Sequence, residues 1–272
     1  MENFSVKKED YEEPGCPFCM PDTVTPVPIR RILEKLDEYL SKKDYTGAER
    51  HLKYWLAEGK ENNDKRGLLT VMNELIGLYR KTEKEEKAMY FSEKAIITAE
   101  EAGLCDTVTM GTTLINAATA YKAFGYAERA LPLYEKARTL YEKLLDKNDE
   151  RLGALYNNMG LTLCELKKYR QAEELYTMAI ELMSSAEAKE AETAITYCNL
   201  ADLVFSEEGK NGKEKITAYL KKAIELLDKD CLSESSDYAY ICEKCAPTFG
   251  FYGYMIYENE LYERAKRIYE GT

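Results

Sequence analysis

Two pairs of cysteines have a spacing that could do chemistry. Cys16 and Cys19 are separated by two residues in a proline-rich segment, and Cys242 and Cys245 have the same spacing just before Pro247. Four thiolates are a ligand set that zinc takes in tetrahedral protein sites. The sequence therefore raises the hypothesis of a zinc site, although the two pairs lie much farther apart in the chain than the ligands of compact zinc modules.

Three interpretations of these cysteines stay open. One zinc ion could join both pairs within a chain. Alternatively, a zinc ion could be shared between two chains or a reversible thiol pair could form. In the third interpretation the thiols are free. Proline is well tolerated at the start of a helix, so Pro247 predicts that a helix begins there. Cys245 would then lie at the helix entrance, where the helix dipole favours the thiolate.

The chain has few residues that could support other kinds of chemistry. His51 is the only histidine among 272 residues, so catalysis or metal binding that depends on histidine is not expected. Lysine and arginine number 38 against 49 aspartate and glutamate residues, a net charge of −11. This charge repels phosphate backbones and anionic lipids, which argues against nucleic-acid and membrane partners. Eight cysteines are too few for a disulfide scaffold, and with no apolar leader segment we expect a cytoplasmic protein.

The elements that must position these residues follow from a repeat. Ala95, Ala137 and Ala179 lie 42 residues apart in similar segments, and Ala223 follows after 44. Apolar and small residues recur at helical spacing before each of them, as expected for helices with one buried stripe. Six two-helix units result, and Asp106 and Asp149 are the predicted N-caps of the third and fourth.

The residues within a unit follow a known pattern. They resemble the tetratricopeptide repeat, with a longer repeat similar to that of kinesin light chains and without the closing proline; the fourth unit supplies Tyr156, Met159, Gly160, Leu163, Ala172 and Tyr176. The resemblance implies an all-α fold, a right-handed α-solenoid of about six helix-turn-helix repeats over residues 29–272. Residues 1–28, which contain five prolines, are expected to form an extended tail.

A stacked array of this kind has a concave face lined by the first helix of each pair. Asn116, Asn158 and Asn199 occupy equivalent positions on that face, and Asn157 lies on the same stripe. Asparagine amides can bond the backbone of an extended peptide independently of its sequence, and the resemblance implies such a ladder at the three equivalent positions. The alternative is that these asparagines stabilise helix packing.

Charged and aromatic residues lie on the same stripe. Arg80 and Lys122 are 42 residues apart and could bind a carboxylate, although ordinary solvated charge would give the same pattern. Phe205 and Tyr254 could anchor an apolar side chain, or they could be packing residues in a chain with 22 tyrosines.

The sequence thus predicts a non-catalytic, monomeric module that holds an extended segment of a protein or peptide in its groove. The expected partner is acidic or has a free carboxylate. The alternative is a zinc-stabilised scaffold in which the N-terminal cysteine pair meets the C-terminal pair and occupies or closes the groove.

Overall fold

The computed structural model describes residues 25–184, 190–229 and 233–271. Within these residues the chain is all-α, and they contain no β-strand. Twelve α-helices follow one another: α1 (Ile29–Ser41), α2 (Tyr45–Glu61), α3 (Lys65–Lys81), α4 (Glu85–Glu101), α5 (Val108–Ala123), α6 (Ala127–Leu144), α7 (Glu150–Glu165), α8 (Tyr169–Ser184), α9 (Glu190–Glu208), α10 (Lys213–Lys229), α11 (Ser236–Phe251) and α12 (Met255–Glu270). A short 3₁₀ turn, Gly209–Gly212, connects α9 to α10.

The helices form six consecutive pairs, which confirms the six two-helix units. The last pair differs from its prediction, because α11 begins at Ser236 and not near Pro247. Ser235 caps this helix by accepting a hydrogen bond from the backbone N–H of Tyr238 at 3.1 Å. Pro247 lies inside the helix and is exposed, so its missing N–H and its ring are accommodated at the solvent side.

The same tight turn joins the two helices of five of the pairs. Its central residue has a left-handed backbone conformation, with positive φ at Lys43, Glu83, Gly125, Lys167 and Gly253. In each turn the next N–H bonds back to a carbonyl near the end of the first helix, as from Lys168 to Leu163 at 2.8 Å. This hydrogen-bond pattern ends the first helix and reverses the chain.

One of the two predicted N-caps is confirmed. Asp149 accepts a hydrogen bond from the N–H of Arg151 at 3.0 Å and caps α7. The prediction for α5 is wrong by one residue, because Thr107 and not Asp106 accepts from Met110, at 3.2 Å. Thr107 has the extended backbone that an N-cap requires.

The helices divide into two compact units between Leu145 and Asp146. In the first unit, consecutive helices from α1 to α6 pack on one another. An ion-pair network of three exposed lysines around the half-buried Glu49 helps to join α2, α3 and α4. Glu49 accepts from Lys53 at 2.8 Å, Lys84 at 2.6 Å, Lys87 at 2.8 Å and the Tyr79 hydroxyl at 3.0 Å. Burial alone would raise the pKa of Glu49, but these four hydrogen bonds outweigh it and hold the pKa far below its ordinary value.

The second unit contains α7 to α12, and its first helices α7, α9 and α11 lie side by side. Close packing there depends on small residues. A Cβ atom at Gly160 would overlap the ring of Tyr176, and Ala201 is fully buried. This confirms the packing reason for the small residues of α7 and α9.

Candidate functional site

The last buried residue before each turn gives a common reference for the first helices. It is Tyr79, Tyr121, Leu163, Val204 or Phe249, and each of these is at most 5% exposed. The backbone N–H of the turn bonds to the carbonyl of four of them, at 2.8 to 2.9 Å. We call these five the anchor residues and count positions from them.

Six residues before the anchor, an asparagine joins neighbouring first helices in both units. Asn73 of α3 donates to Thr113 Oγ1 of α5 at 3.1 Å, and Asn157 of α7 donates to Thr196 Oγ1 of α9 at 2.9 Å. Each threonine lies eight residues before its own anchor residue. The same inter-helix contact thus recurs at the same position in two units of the repeat. Asn73 and both threonines were not predicted from the sequence, although their spacing carried the signal.

Five residues before the anchor lie the three asparagines of the predicted ladder. The equivalence of Asn116, Asn158 and Asn199 holds in the structure, but their surroundings differ. Asn158 is only 5% exposed, so its expected place on an open face is wrong. Asn199 donates to Asn157 Oδ1 at 3.1 Å, and Asn116 is half-buried. These contacts favour the packing interpretation at Asn157 and Asn199.

The residue directly after the anchor is more exposed than the anchor in each of these five first helices. In the first unit this residue is Arg80 in α3 and Lys122 in α5, and both are half-buried in the last turn of their helix. Cations at this place are stabilised by the helix dipole. The structure therefore places two positive charges at equivalent ends of neighbouring first helices.

In the second unit the same position is occupied by Cys164 and Phe205. Phe205 is 38% exposed, and its ring centroid lies 5.3 Å from that of Phe251 and 5.8 Å from that of Tyr252. Both pairs are edge-to-face, the arrangement that aromatic rings prefer. Phe205 therefore belongs to an aromatic cluster that reaches the surface. Tyr254 is half-buried instead and packs on Phe249, with ring centroids 6.4 Å apart.

The surroundings of this cluster are acidic. The hydroxyl of Tyr252 donates to Asp202 Oδ1 at 2.9 Å. The Cys164 thiol has a raised pKa, first because it is buried and further because Asp202, Glu165 and Glu207 are close enough to repel a thiolate. The surrounding protein partly desolvates the Asp202 carboxyl and raises its pKa, although the hydrogen bond from Tyr252 acts in the opposite direction.

The cysteine pairs are not placed as the sequence suggested. Cys242 and Cys245 lie in the middle of α11 and are buried, so the expected helix-entrance position is wrong. Burial raises the pKa of Cys242, and a hydrogen bond with Cys198 together with burial raises that of Cys245. Cys16 and Cys19 lie outside the described residues. Among the residues that are described, no group of three or more histidine, cysteine or acidic side chains could hold a metal ion. The zinc hypothesis stays a prediction.

A cavity between α1 and α2 contains the only histidine and the only tryptophan of the chain. His51 Nε2 lies 3.0 Å from the backbone oxygen of Ile32. A carbonyl can only accept, so Nε2 carries the proton, and the ring is fixed between Tyr39 and Trp55. This arrangement gives His51 a structural role.

No described helix combines the length and the apolar character that crossing a membrane requires. Family models of the tetratricopeptide repeat match residues 111–150 and 150–229. No curated protein matches the sequence significantly.

Solved structures share the fold. BtubC (BKLC) from P. vanneervenii is similar with a TM-score of 0.65 and 22% identity, over 73% of this chain and 79% of that chain. A putative kinesin light chain with nearly identical TPR-like repeats from Podosopora anserina has a TM-score of 0.50 and 16% identity, over 74% and 94% of the two chains. A Rap protein complexed with Competence and Sporulation Factor has a TM-score of 0.60 and 15% identity, over 91% and 66%. These likenesses confirm a solenoid of long tetratricopeptide-like repeats.

Proposed function

Because this chain is a tetratricopeptide-repeat protein and hence a protein-interaction module, we propose that it binds an extended segment of a partner along its first helices, without catalysis. The observation that supports this most directly is the residue after each anchor. After the five anchors the repeat carries Arg80, Lys122, Cys164, Phe205 and Gly250, which vary in chemistry while the anchors are all buried and apolar or aromatic. A partly exposed position that varies within a repeat can serve recognition.

Within the first unit, the proposal gives Arg80 and Lys122 the task of selecting negative charge. Both lie at the ends of first helices that pack side by side, since α3 contacts α5. A carboxylate of the partner placed near these ends would accept charge-assisted hydrogen bonds. On a chain with a net charge of −11, a local positive site also distinguishes this face from the rest of the surface.

The asparagines have a smaller part in the proposal than the sequence suggested. Asn157 and Asn199 are engaged with each other, and Asn158 is buried. Asn116 is the member of the ladder that remains available to a peptide backbone. A similar structure is that of a Rap protein with the Competence and Sporulation Factor, so one chain of this fold does bind a separate factor. The cytoplasmic location and the monomeric state stay predictions.

Binding to synthetic peptides tests the proposal. We would titrate the full chain into fluorescein-labelled degenerate octapeptides rich in aspartate and glutamate and follow fluorescence anisotropy. Lys122→Glu should weaken binding about tenfold or more, because it turns attraction into repulsion. Lys136→Glu, an equal charge change at an exposed position of the second helix α6, is the matched control and should change affinity less than twofold. Equal losses in both variants, or none in either, would show that the first-helix ends are not the site.

A further inference from the structure

An apolar surface lies at one turn of the second unit. Phe251 ends α11 and is 66% exposed, while Met255 and Ile256 begin α12 and are 57% and 81% exposed. Phe205 of α9 joins them through its contact with Phe251. We call Phe205, Phe251, Met255 and Ile256 the aromatic edge. Single exposed apolar residues are common, but four large ones around one turn are characteristic of an interaction surface.

Packing within the unit does not explain the aromatic edge. The buried side of α12 is formed by Leu261, Arg264 and Ala265, and Ile256 faces away from it. Phe251 contacts only the rings of Phe205 and Tyr252 among the aromatic residues described. Tyr252, in turn, is fixed by its hydrogen bond to Asp202 at 2.9 Å. The edge is therefore held in one arrangement while its outer surface stays open to a partner.

Carboxylates surround the aromatic edge. Asp202 lies beneath Tyr252, Glu207 is on the same helix end, and the carboxylate of Glu258 lies directly against Gly250. In the described part of the chain none of these three acidic groups forms an ion pair. Two of them, Asp202 and Glu207, are also close enough to Cys164 to disfavour its thiolate. An open apolar surface with unpaired carboxylates around it is complementary to a segment that is both apolar and basic.

We propose that the aromatic edge binds a short segment of a partner protein in which a large apolar side chain stands next to lysine or arginine. The apolar side chain packs on Phe251 and Ile256, and the neighbouring cation bonds Asp202 or Glu258. An arginine can also stack on the exposed ring of Phe251. The inference rests on the proposed function, since it names the chemistry that the second unit selects.

Four pools of labelled octapeptides test the inference on the full chain of the Lys122→Glu variant, in which the first unit no longer attracts acidic peptides. The central position of a pool is either apolar, a mixture of leucine, phenylalanine and tryptophan, or serine. The flanking positions are either basic, a mixture of lysine and arginine, or glutamate. Anisotropy should show the basic apolar pool binding at least tenfold tighter than the acidic apolar pool and the basic serine pool. Raising the salt concentration should weaken this preference, because the carboxylates are at the surface.

Variants at exposed positions connect the preference to the aromatic edge. Phe251→Ser and Ile256→Ser should each lower the affinity for the basic apolar pool about tenfold, which is the loss typical of a central interface residue. Glu258→Gln should reduce the preference for basic over acidic flanks and leave the preference for an apolar centre. Tyr90→Ser is the matched control, since Tyr90 is a 53% exposed aromatic residue on α4, and it should change affinity less than twofold.

The outcomes separate the two proposals. If the acidic pool binds best, or if Phe251→Ser and Ile256→Ser bind like the wild type, the inference is overturned. If the inference fails in this way but Lys122→Glu still abolishes the binding of acidic peptides, the proposed function stands on its own. If no pool binds at a chain concentration of hundreds of micromolar, both are overturned. Binding of phosphatidylserine vesicles through Phe251 in place of peptides would also overturn the inference.

Discussion

The side chain of Arg264 offers the sharpest test of how the last helix is held. It is buried in the second unit, and its guanidinium donates to Asp228 Oδ1 and Glu260 Oε1, each at 2.6 Å. It also donates to the Tyr238 hydroxyl at 3.1 Å and to the Leu227 carbonyl at 3.4 Å. These bonds tie α12 to α10 and α11. Arg264→Met keeps most of the side-chain volume and removes all four of them.

The expected loss of folding stability depends on how each hydrogen-bond partner of Arg264 is solvated after the substitution. Asp228 and Glu260 are 53% and 48% exposed, so water can solvate both carboxylates once the guanidinium is gone. Tyr238 still donates to the Leu227 carbonyl at 2.8 Å. The cost therefore falls below the roughly 3–5 kcal/mol of a broken, fully buried ion pair. Methionine recovers part of the apolar contact, which leaves a loss of about 2 kcal/mol, close to the value of one charge-assisted hydrogen bond.

Urea denaturation followed by circular dichroism measures this loss. Arg264→Met should lower the free energy of unfolding of the transition that contains α12 by about 2 kcal/mol, and Arg264→Lys should lower it by less, since lysine keeps the charge but not the planar geometry. Arg267→Met removes an exposed arginine from the same helix and should change it by less than about 0.5 kcal/mol. A loss below about 0.5 kcal/mol in Arg264→Met would refute the role given to this residue.

Three further predictions concern the turns, the half-buried carboxylate and the repeated contact. Lys167→Gly should raise the free energy of unfolding by about 1 kcal/mol in urea denaturation, because a left-handed backbone is strained for lysine and not for glycine; a decrease would contradict this account of the turn. The pKa of Glu49 is lowered in the folded state, so its contribution is present above its ordinary value of 4.5 and is lost as the pH falls below it. The stability difference between wild type and Glu49→Gln should therefore be large at pH 7 and shrink in urea titrations at pH 3, and a difference independent of pH would exclude the mechanism. Asn157→Ala should cost about 1–2 kcal/mol by the same assay, because it leaves Asn199 and Thr196 without a partner; an unchanged stability would return Asn157 to the recognition hypothesis.

The repeat was readable from the sequence because packing imposes it. Each first helix must present small residues where a ring from its own pair approaches, as Gly160 does to Tyr176. Each turn must return the chain after a buried anchor residue, so the 42-residue period appears in the residue types themselves. Six helix pairs and an all-α fold followed directly from this periodicity, but the start of the last pair did not.

The start of α11 was not readable in the same way. Proline is most frequent in the first turn of a helix, and Pro247 was interpreted by that preference. The structure tolerates Pro247 in the twelfth position of α11, because that side of the helix is exposed to solvent. The actual start signal, Ser235, stands among several serines that look alike in the sequence. This single misassignment moved Cys242 and Cys245 from a buried helix interior to a helix entrance and changed the chemistry expected of them.

The asparagines show why a correct register still does not reveal a binding site. The sequence placed Asn116, Asn158 and Asn199 at equivalent positions, but whether an amide faces a ligand depends on the neighbouring helix. In the second unit Asn199 bonds Asn157 Oδ1. In the first unit the equivalent acceptor, Asn73 Oδ1, is buried without a hydrogen-bond partner among the described residues.

The repeat makes Asn116 the side chain positioned to satisfy that oxygen, as Asn199 satisfies Asn157. A buried amide oxygen without a partner costs about 1–3 kcal/mol, whereas a new hydrogen bond to a ligand contributes about 0.5–1.5 kcal/mol net. Asn116 does not bond Asn73 Oδ1 in this structure, so a rotation of its amide toward that oxygen would compete with a bond to a peptide and would be worth more. An asparagine ladder can position a partner on this fold, but the affinity must come from the charges after the anchor residues and from the aromatic edge.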